Sequence, residues 1–193
     1  MKIITIDREF GAGGHTVGWA VAKRLGVEFY DRDIIKEASR ASGVDPSLID
    51  QQEESMTAAS AFIKAINPVS YDDKDLIFTH ESKAIVKLAG QGPCVILGRC
   101  ATAILQDAGF DVLSVFLHAD EEHRIAAAGK ILGLDDPAAI RHKMRKRDAA
   151  RRAWTACYSD QEWGDVQCYD LALDTGTLGM DACVDIVCLA AQE

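Results

Sequence analysis

The chain has 193 residues, 48% of them apolar and 26% charged, a composition that fits one ordinary folded domain and excludes disorder as the overall state. Its formal net charge is −9, from 21 basic against 30 acidic residues, which argues against a general nucleic-acid-binding surface. No apolar run nears the roughly 18 residues of a membrane span and no signal-peptide core is visible, so neither nucleic acid nor membrane is expected as a partner, and a cytoplasmic location is expected.

Five short apolar runs predict buried strands, at 2–7 (KIITID), 27–30 (VEFY), 94–97 (CVIL), 112–118 (VLSVFLH) and 169–174 (YDLALD). Several are nearly continuous in apolar residues, as in a parallel sheet covered on both faces. After the first, Val17, Ala20, Val21 and Leu25 mark one face of a helix that stops at Gly26. Ile34, Ile35 and Ala38 begin another after Asp31. The segment 45–91 reads as a helical insertion: Asp45-Pro46 opens it, Asn67-Pro68 breaks it, and 72–89 resumes with Leu76, Ile77, His80, Ala84 and Leu88 in phase. Its apolar residues, Phe62, Ile63, Ile66, Leu76, Ile77 and Phe78, suffice for a buried helical pair or for the face of a homodimer. Helical patterns at 101–108, 121–132, 138–154 and 179–191 continue the alternation. The expectation is a single α/β domain over 1–193, a three-layer sandwich around a five-stranded parallel sheet with right-handed crossovers.

The six cysteines (94, 100, 157, 168, 183 and 188) show no C-x-x-C pair and no zinc spacing, and several lie in apolar runs, so they read as reduced thiols. His118 with His123, and His80 beside Glu81, lack the partners a metal site needs, and no metal ligand is assigned.

The densest local signal is ITIDREFGAGGHTVG at 4–18, where a strand runs through Gly11, Ala12, Gly13 and Gly14 directly into a helix. Glycines at that spacing let successive N–H groups converge on an anion, with the helix dipole behind them. A tight turn using glycine for positive φ is the plainer alternative. A dinucleotide fingerprint would need a further glycine, which is missing. A P-loop template fits better: without gaps it sets Arg8 at the first glycine and Gly14 at the lysine, and shifted by one it sets His15 at the lysine and Thr16 at the magnesium-binding hydroxyl. Neither register contains the lysine, so Arg8 or His15 would have to supply its charge.

Residues 141–152 (RHKMRKRDAARR) hold seven of the basic residues in an otherwise acidic chain, which points to a specific small anion or to a solvated charged helix. At helical spacing Arg141, Arg145, Asp148 and Arg152 fall on one face, and Lys143, Arg147 and Arg151 on another. Arginine favours the anion, because its fork matches phosphate oxygens. Arg99 follows the third strand and Asp31 the second, so both lie on the strand-end edge where open α/β sheets bind ligands.

Four blocks in this order, ITIDREFGAGGHTVG, FYDRDII, VILGRCATAIL, and RDAARRAW followed by WGDVQCYDLALDTG, make the chain resemble the cytidylate kinase-like family of nucleoside monophosphate kinases. The resemblance implies a P-loop nucleoside triphosphate hydrolase-like fold and phosphorylation of a nucleoside monophosphate, CMP or dCMP, by ATP with Mg²⁺. Carried over by position, Gly11, Ala12, Gly13, Gly14, His15 and Thr16 would hold the ATP phosphates, with Thr16 the hydroxyl nearest Mg²⁺. Asp31 and Arg99 would lie in the acceptor pocket. Arg147, Asp148, Arg151 and Arg152 would belong to a lid at 141–165, Asp148 also being counted on the acceptor side. Arg8, Arg147, Arg151 and Arg152 are the catalytic candidates, and small nucleotides the expected partners. Three departures stand out: His15 replaces an arginine expected in the family, 153–158 reads AWTACY where the family is tyrosine-rich, and Cys100 replaces an aspartate after the Gly98-Arg99 pair. A nucleotide- or phosphate-binding module with little catalysis, or a kinase of another small acceptor, remains the alternative.

Overall fold

The computed structural model describes residues 2–32, 34–35 and 72–192. Alternation along the strands decides the layers. In β1 (Ile3–Arg8), Ile4 and Ile6 face one core and Ile3 faces the other. In β3 (Cys94–Leu97), Val95 and Leu97 join the first core while Cys94 and Ile96 join the second. In β4 (Val112–His118), Leu113, Val115 and Leu117 again point to the first. With β2 (Glu28–Tyr30) and β5 (Leu171–Asp174) they form one sheet, ordered β2-β3-β1-β4-β5 and parallel at every pairing.

Helix α1 (Gly14–Leu25) buries Val17, Val21 and Ala22 against the first face and ends at Gly26, whose φ of 69° supplies the left-handed turn. Each such fully buried valine is worth about 2 kcal/mol of transfer free energy. Helix α7 (Met180–Ala190) packs beside it through Cys183, Val184 and Val187. The second face is covered by α2 (Asp72–Ala89) and α3 (Ala101–Asp107), through Ile85, Ala89, Ala101 and Leu105. Helices α4 (Glu121–Leu132) and α5 (Pro137–Tyr158) meet over a smaller core of Ala128, Ile140 and Met144, which also receives Phe10. A short turn of helix, α6 (Thr175–Leu178), links β5 to α7.

The expected three-layer sandwich with a five-stranded parallel sheet is therefore what forms. Two boundaries differ from the sequence reading. β5 starts at Leu171 and not at 169, because Asp170 pairs through its side chain with the N–H and Oγ of Ser114. α5 runs to Tyr158 and not to 154, and begins at Pro137 behind Asp136, whose carboxylate caps the N–H groups of Ala138 and Ala139. Of the expected 45–91 insertion, 72–89 is helical as expected; 45–71, with Phe62, Ile63 and Ile66, lies outside the described residues, as does Ala38. None of the described helices is long and apolar enough to cross a membrane. All six cysteines are free thiols.

Candidate functional site

The C-terminal ends of β1, β2 and β3 lie side by side, so the loops that follow them share one edge of the sheet. From β1 the chain enters Glu9-Phe10-Gly11-Ala12-Gly13. Gly11 and Gly13 take φ of 89° and 75°, which an L side chain rarely adopts. Gly13 caps α1 and offers no side chain, and the first helical bond runs from Val17 N–H to the Gly13 carbonyl at 3.0 Å. The N–H groups of Gly14, His15 and Thr16 are thus at the mouth of the loop, where the helix dipole is positive. A methyl on Gly14 would stand 2.6 Å from Arg8 Cγ, so the loop closes against the Arg8 side chain, whose guanidinium lies against Gly98 of the neighbouring strand end. Backbone donors, an adjacent guanidinium and glycines that admit no Cβ fit a polyphosphate.

The loop is pinned from beneath. Arg124 of α4 donates through Nε to the Phe10 carbonyl at 3.0 Å, contacts Glu9 at 2.8 Å and pairs with Asp148. Asp148 Oδ1 accepts the Phe10 N–H at 2.7 Å. Arg151 donates to the Arg8 carbonyl at 2.9 Å. On the other side, the Thr175 hydroxyl bonds the carbonyls of Ala12 and His118. Burial pushes the Asp148 carboxyl upward, against the opposing pull of the Phe10 N–H and Arg124.

Helix α5 divides its arginines among different tasks. Arg147 and Arg151 lie over the Phe10 ring, 4.4 and 5.7 Å from its centroid, and Arg152 lies 5.3 Å from that of Trp163. Arg141 and Arg145 both reach Glu121 of α4. Arg147 and Arg151 thus stand at the loop, whereas Asp148 is turned inward under it and Arg152 points to the β5 side.

At the other end of the edge, His15 faces Asp31 at 3.4 Å and stacks edge-on against Phe29. Asp31 also caps the N–H of Ile34. Thr16 is exposed beside His15. Its hydroxyl suits Mg²⁺ held chiefly by nucleotide oxygens; among the described residues no three potential ligands cluster on their own. Arg99 and Cys100 both adopt left-handed backbone, with φ of 66° and 56°, a cost of about 1–3 kcal/mol each that packing must offset. Arg99 pairs with Glu81 of α2 and lies over the Trp154 ring at 5.2 Å. Burial pushes the Cys100 thiol up to about 12, with the nearby Asp7 charge adding to it.

The sequence-predicted positions Arg8, Gly11–Thr16, Asp31, Arg99, Arg147 and Arg151 are therefore gathered on one edge. Arg124, Thr175, Glu81 and Trp154 were missed as site residues. Arg124 and Thr175 lie more than a hundred residues from the loop they hold; Arg124 sits in no recognisable motif, and Thr175, though inside the WGDVQCYDLALDTG block, carries no role that the sequence assigns. Glu81 follows His80 with no metal-site spacing, and nothing else in its local sequence sets it apart.

Comparison with known proteins bears on this arrangement. A profile of the cytidylate kinase-like family matches residues 3–177. No curated protein sequence matches the chain. Among solved structures, an uncharacterized protein from Eubacterium ventriosum superposes with a TM-score of 0.77 at 24% identity, covering 100% of this chain and 99% of that one. Shikimate kinase from Acinetobacter baumannii gives 0.51 at 16% identity, covering 100% and 93%. A gluconokinase from Sinorhizobium meliloti gives 0.52 at 16% identity, covering 99% and 93%. These likenesses establish the fold, with the 2-3-1-4-5 sheet of P-loop kinases.

Proposed function

The chain belongs to the cytidylate kinase-like family, and from that membership we propose that it transfers a phosphoryl group from ATP to a nucleoside monophosphate, CMP or dCMP. The observation that carries this reading is the placement of a lysine-free glycine loop, backed by Arg8, on the same sheet edge as Arg99. Phosphoryl transfer asks for positioning and charge neutralisation rather than a strong base, since the acceptor is already an anion. Mg·ATP supplies the phosphoryl group and part of that neutralisation.

In this reading the N–H groups of Gly14, His15 and Thr16 orient the donor phosphates, and Arg8 takes the place of the missing lysine. Arg99 addresses the acceptor phosphate. Arg147 and Arg151, held over Phe10, stabilise the charge that develops during transfer, and Arg152 joins them if the lid at 141–165 closes. Asp148 and Arg124 hold the loop in shape. Asp31 orients His15 on the acceptor side. The free thiols suit a reducing cytoplasm, and the exposed Leu76 of α2 keeps a homodimer through the insertion in view, for light scattering to decide.

A second reading is favoured by the His15–Asp31 pairing, which engages the one loop side chain in the lysine register. A loop so arranged would bind nucleotide with little turnover. The deciding experiment offers Mg·ATP and a panel of monophosphates and detects diphosphate directly. Turnover fastest with CMP or dCMP supports the kinase, whereas binding of ATP and CMP without product supports the module.

A further inference from the structure

Buried carboxylates elsewhere among the described residues are met by donors: Asp148 by the Phe10 N–H and Arg124, Asp7 by the Tyr169 hydroxyl. Glu81 is different. Its side chain is 1% exposed; Oε1 accepts from Arg99, while Oε2 is shielded from solvent and takes no hydrogen bond. Beneath the same Arg99 guanidinium lies Trp154, whose buried Nε1–H has no acceptor. Leaving either atom unmet is costly in a protein interior. The neighbouring wall is aromatic, with Phe78 stacked on Tyr158 at 4.1 Å and Trp154 at 4.8 Å from Tyr158. Arg99 and Cys100 hold left-handed backbone at this place, which marks it as over-determined by its surroundings.

Resting on the nucleoside monophosphate reading above, we infer that Glu81 and Trp154 read the base of the acceptor and select an amino-bearing edge over an oxo-bearing one. An acceptor-only atom and a donor-only atom sharing one guanidinium are complementary to a heterocycle that presents an exocyclic amine beside a ring nitrogen. Cytosine does so with its N4 amine and N3. Uracil would set O4 against the Glu81 carboxylate and N3–H against the indole N–H, wrong at both positions. Sites built around buried polar groups reject the mismatched analogue strongly, because the protein atoms then stay unpaired. Arg99 remains the group for the acceptor phosphate and positions Glu81 through Oε1.

The test is calorimetric binding of CMP and of UMP to the full chain, without turnover, for the wild type, Glu81→Gln and Trp154→Phe, with ATP affinity as the control. The wild type should prefer CMP by about tenfold or more. Glu81→Gln should shrink or reverse that ratio, because the amide can donate to uracil O4. Trp154→Phe, which keeps the ring and removes only the N–H, should weaken CMP several-fold, leave ATP unchanged and bind UMP no more weakly than the wild type does. Equal affinity of the wild type for CMP and UMP overturns the inference, as does a proportional loss of both in Glu81→Gln with no effect of Trp154→Phe. If circular dichroism shows Glu81→Gln unfolded, Trp154→Phe decides alone. Binding of ATP but of no monophosphate would instead overturn the acceptor reading on which the inference rests.

Discussion

The backbone N–H of Phe10 donates to Asp148 Oδ1 at 2.7 Å, joining the glycine-rich loop to helix α5 across 138 residues of sequence. Because Asp148 also receives Arg124, removing its carboxylate leaves a buried N–H without an acceptor and strips Arg124 of one of its two carboxylate partners, the other being Glu9. Asp148→Ala should therefore lose about 3 kcal/mol of stability, read as a shift in the urea midpoint. Asp148→Asn, which keeps an oxygen for Phe10, should lose clearly less. Equal losses would mean that the Phe10 bond contributes nothing.

The loop glycines should not be equivalent. A Cβ on Gly11 would stand 2.6 Å from the Arg124 carbonyl oxygen, which is backbone and cannot yield, and φ there is 89°. On Gly13 it would meet only the flexible Met180 terminus at 2.5 Å, though at a φ of 75°. Gly11→Ala should thus cost more stability than Gly13→Ala, whose penalty is about 1–2 kcal/mol of left-handed strain. Gly14→Ala, at ordinary φ but 2.6 Å from Arg8 Cγ, should chiefly displace Arg8 and lower ATP affinity while leaving the thermal midpoint little changed.

Arg99→Ala should raise the KM for the monophosphate by tenfold or more and spare that for ATP, since ion-paired phosphate contacts of this type carry about 1.5–3 kcal/mol. The measurement is initial-rate kinetics with each substrate varied in turn. A parallel loss for both substrates would move Arg99 away from the acceptor.

Burial raises the Asp7 carboxyl above its ordinary 3.8, with Arg8 and Arg151 and the Tyr169 hydroxyl, 3.4 Å away, pulling the other way. A carboxyl raised in the folded state holds its proton there more tightly than in the unfolded chain. Its contribution to stability is then full below pH 3.8 and falls as pH climbs through the raised value. Asp7→Asn does not titrate, so its urea midpoint should gain on the wild type between pH 4 and pH 8. A gap independent of pH would show that Asp7 ionises as easily folded as unfolded.

Thiol reactivity should split the cysteines. Cys94, Cys100, Cys183 and Cys188 are buried, and burial raises all four, Cys94 to about 11 and Cys100 to about 12. Cys157 and Cys168 are half-buried. Native protein at pH 8 should release two fast equivalents with a chromogenic disulfide and the remainder only on unfolding. Fast reaction at Cys100 would show that the strand-end turn opens readily.

Local pattern settled most of the architecture in advance. Strand residues such as Val95, Ile96 and Leu97 need burial on both faces, and a helix beginning at Gly14 directly after a strand permits few connections, so alternation and glycine spacing carried the fold and the loop. The family motifs pointed to Asp31, Arg99, Arg147 and Arg151, which the fold gathers on one sheet edge, and to Arg152, which lies against Trp163 instead. Helical periodicity put Arg141, Arg145, Asp148 and Arg152 on one face, but it could not tell what each would meet. Glu121 takes the first two, the Phe10 N–H takes the third, and Trp163 takes the fourth. Likewise nothing local distinguishes Arg124 or Glu81 from any other charged residue on an amphipathic helix. Their roles arise where α4, α5 and α2 close over strand ends far away in sequence. There burial makes a hydrogen bond costly to omit, and only the assembled packing decides which polar atoms the chain meets and which, like Glu81 Oε2 and Trp154 Nε1, it leaves unmet.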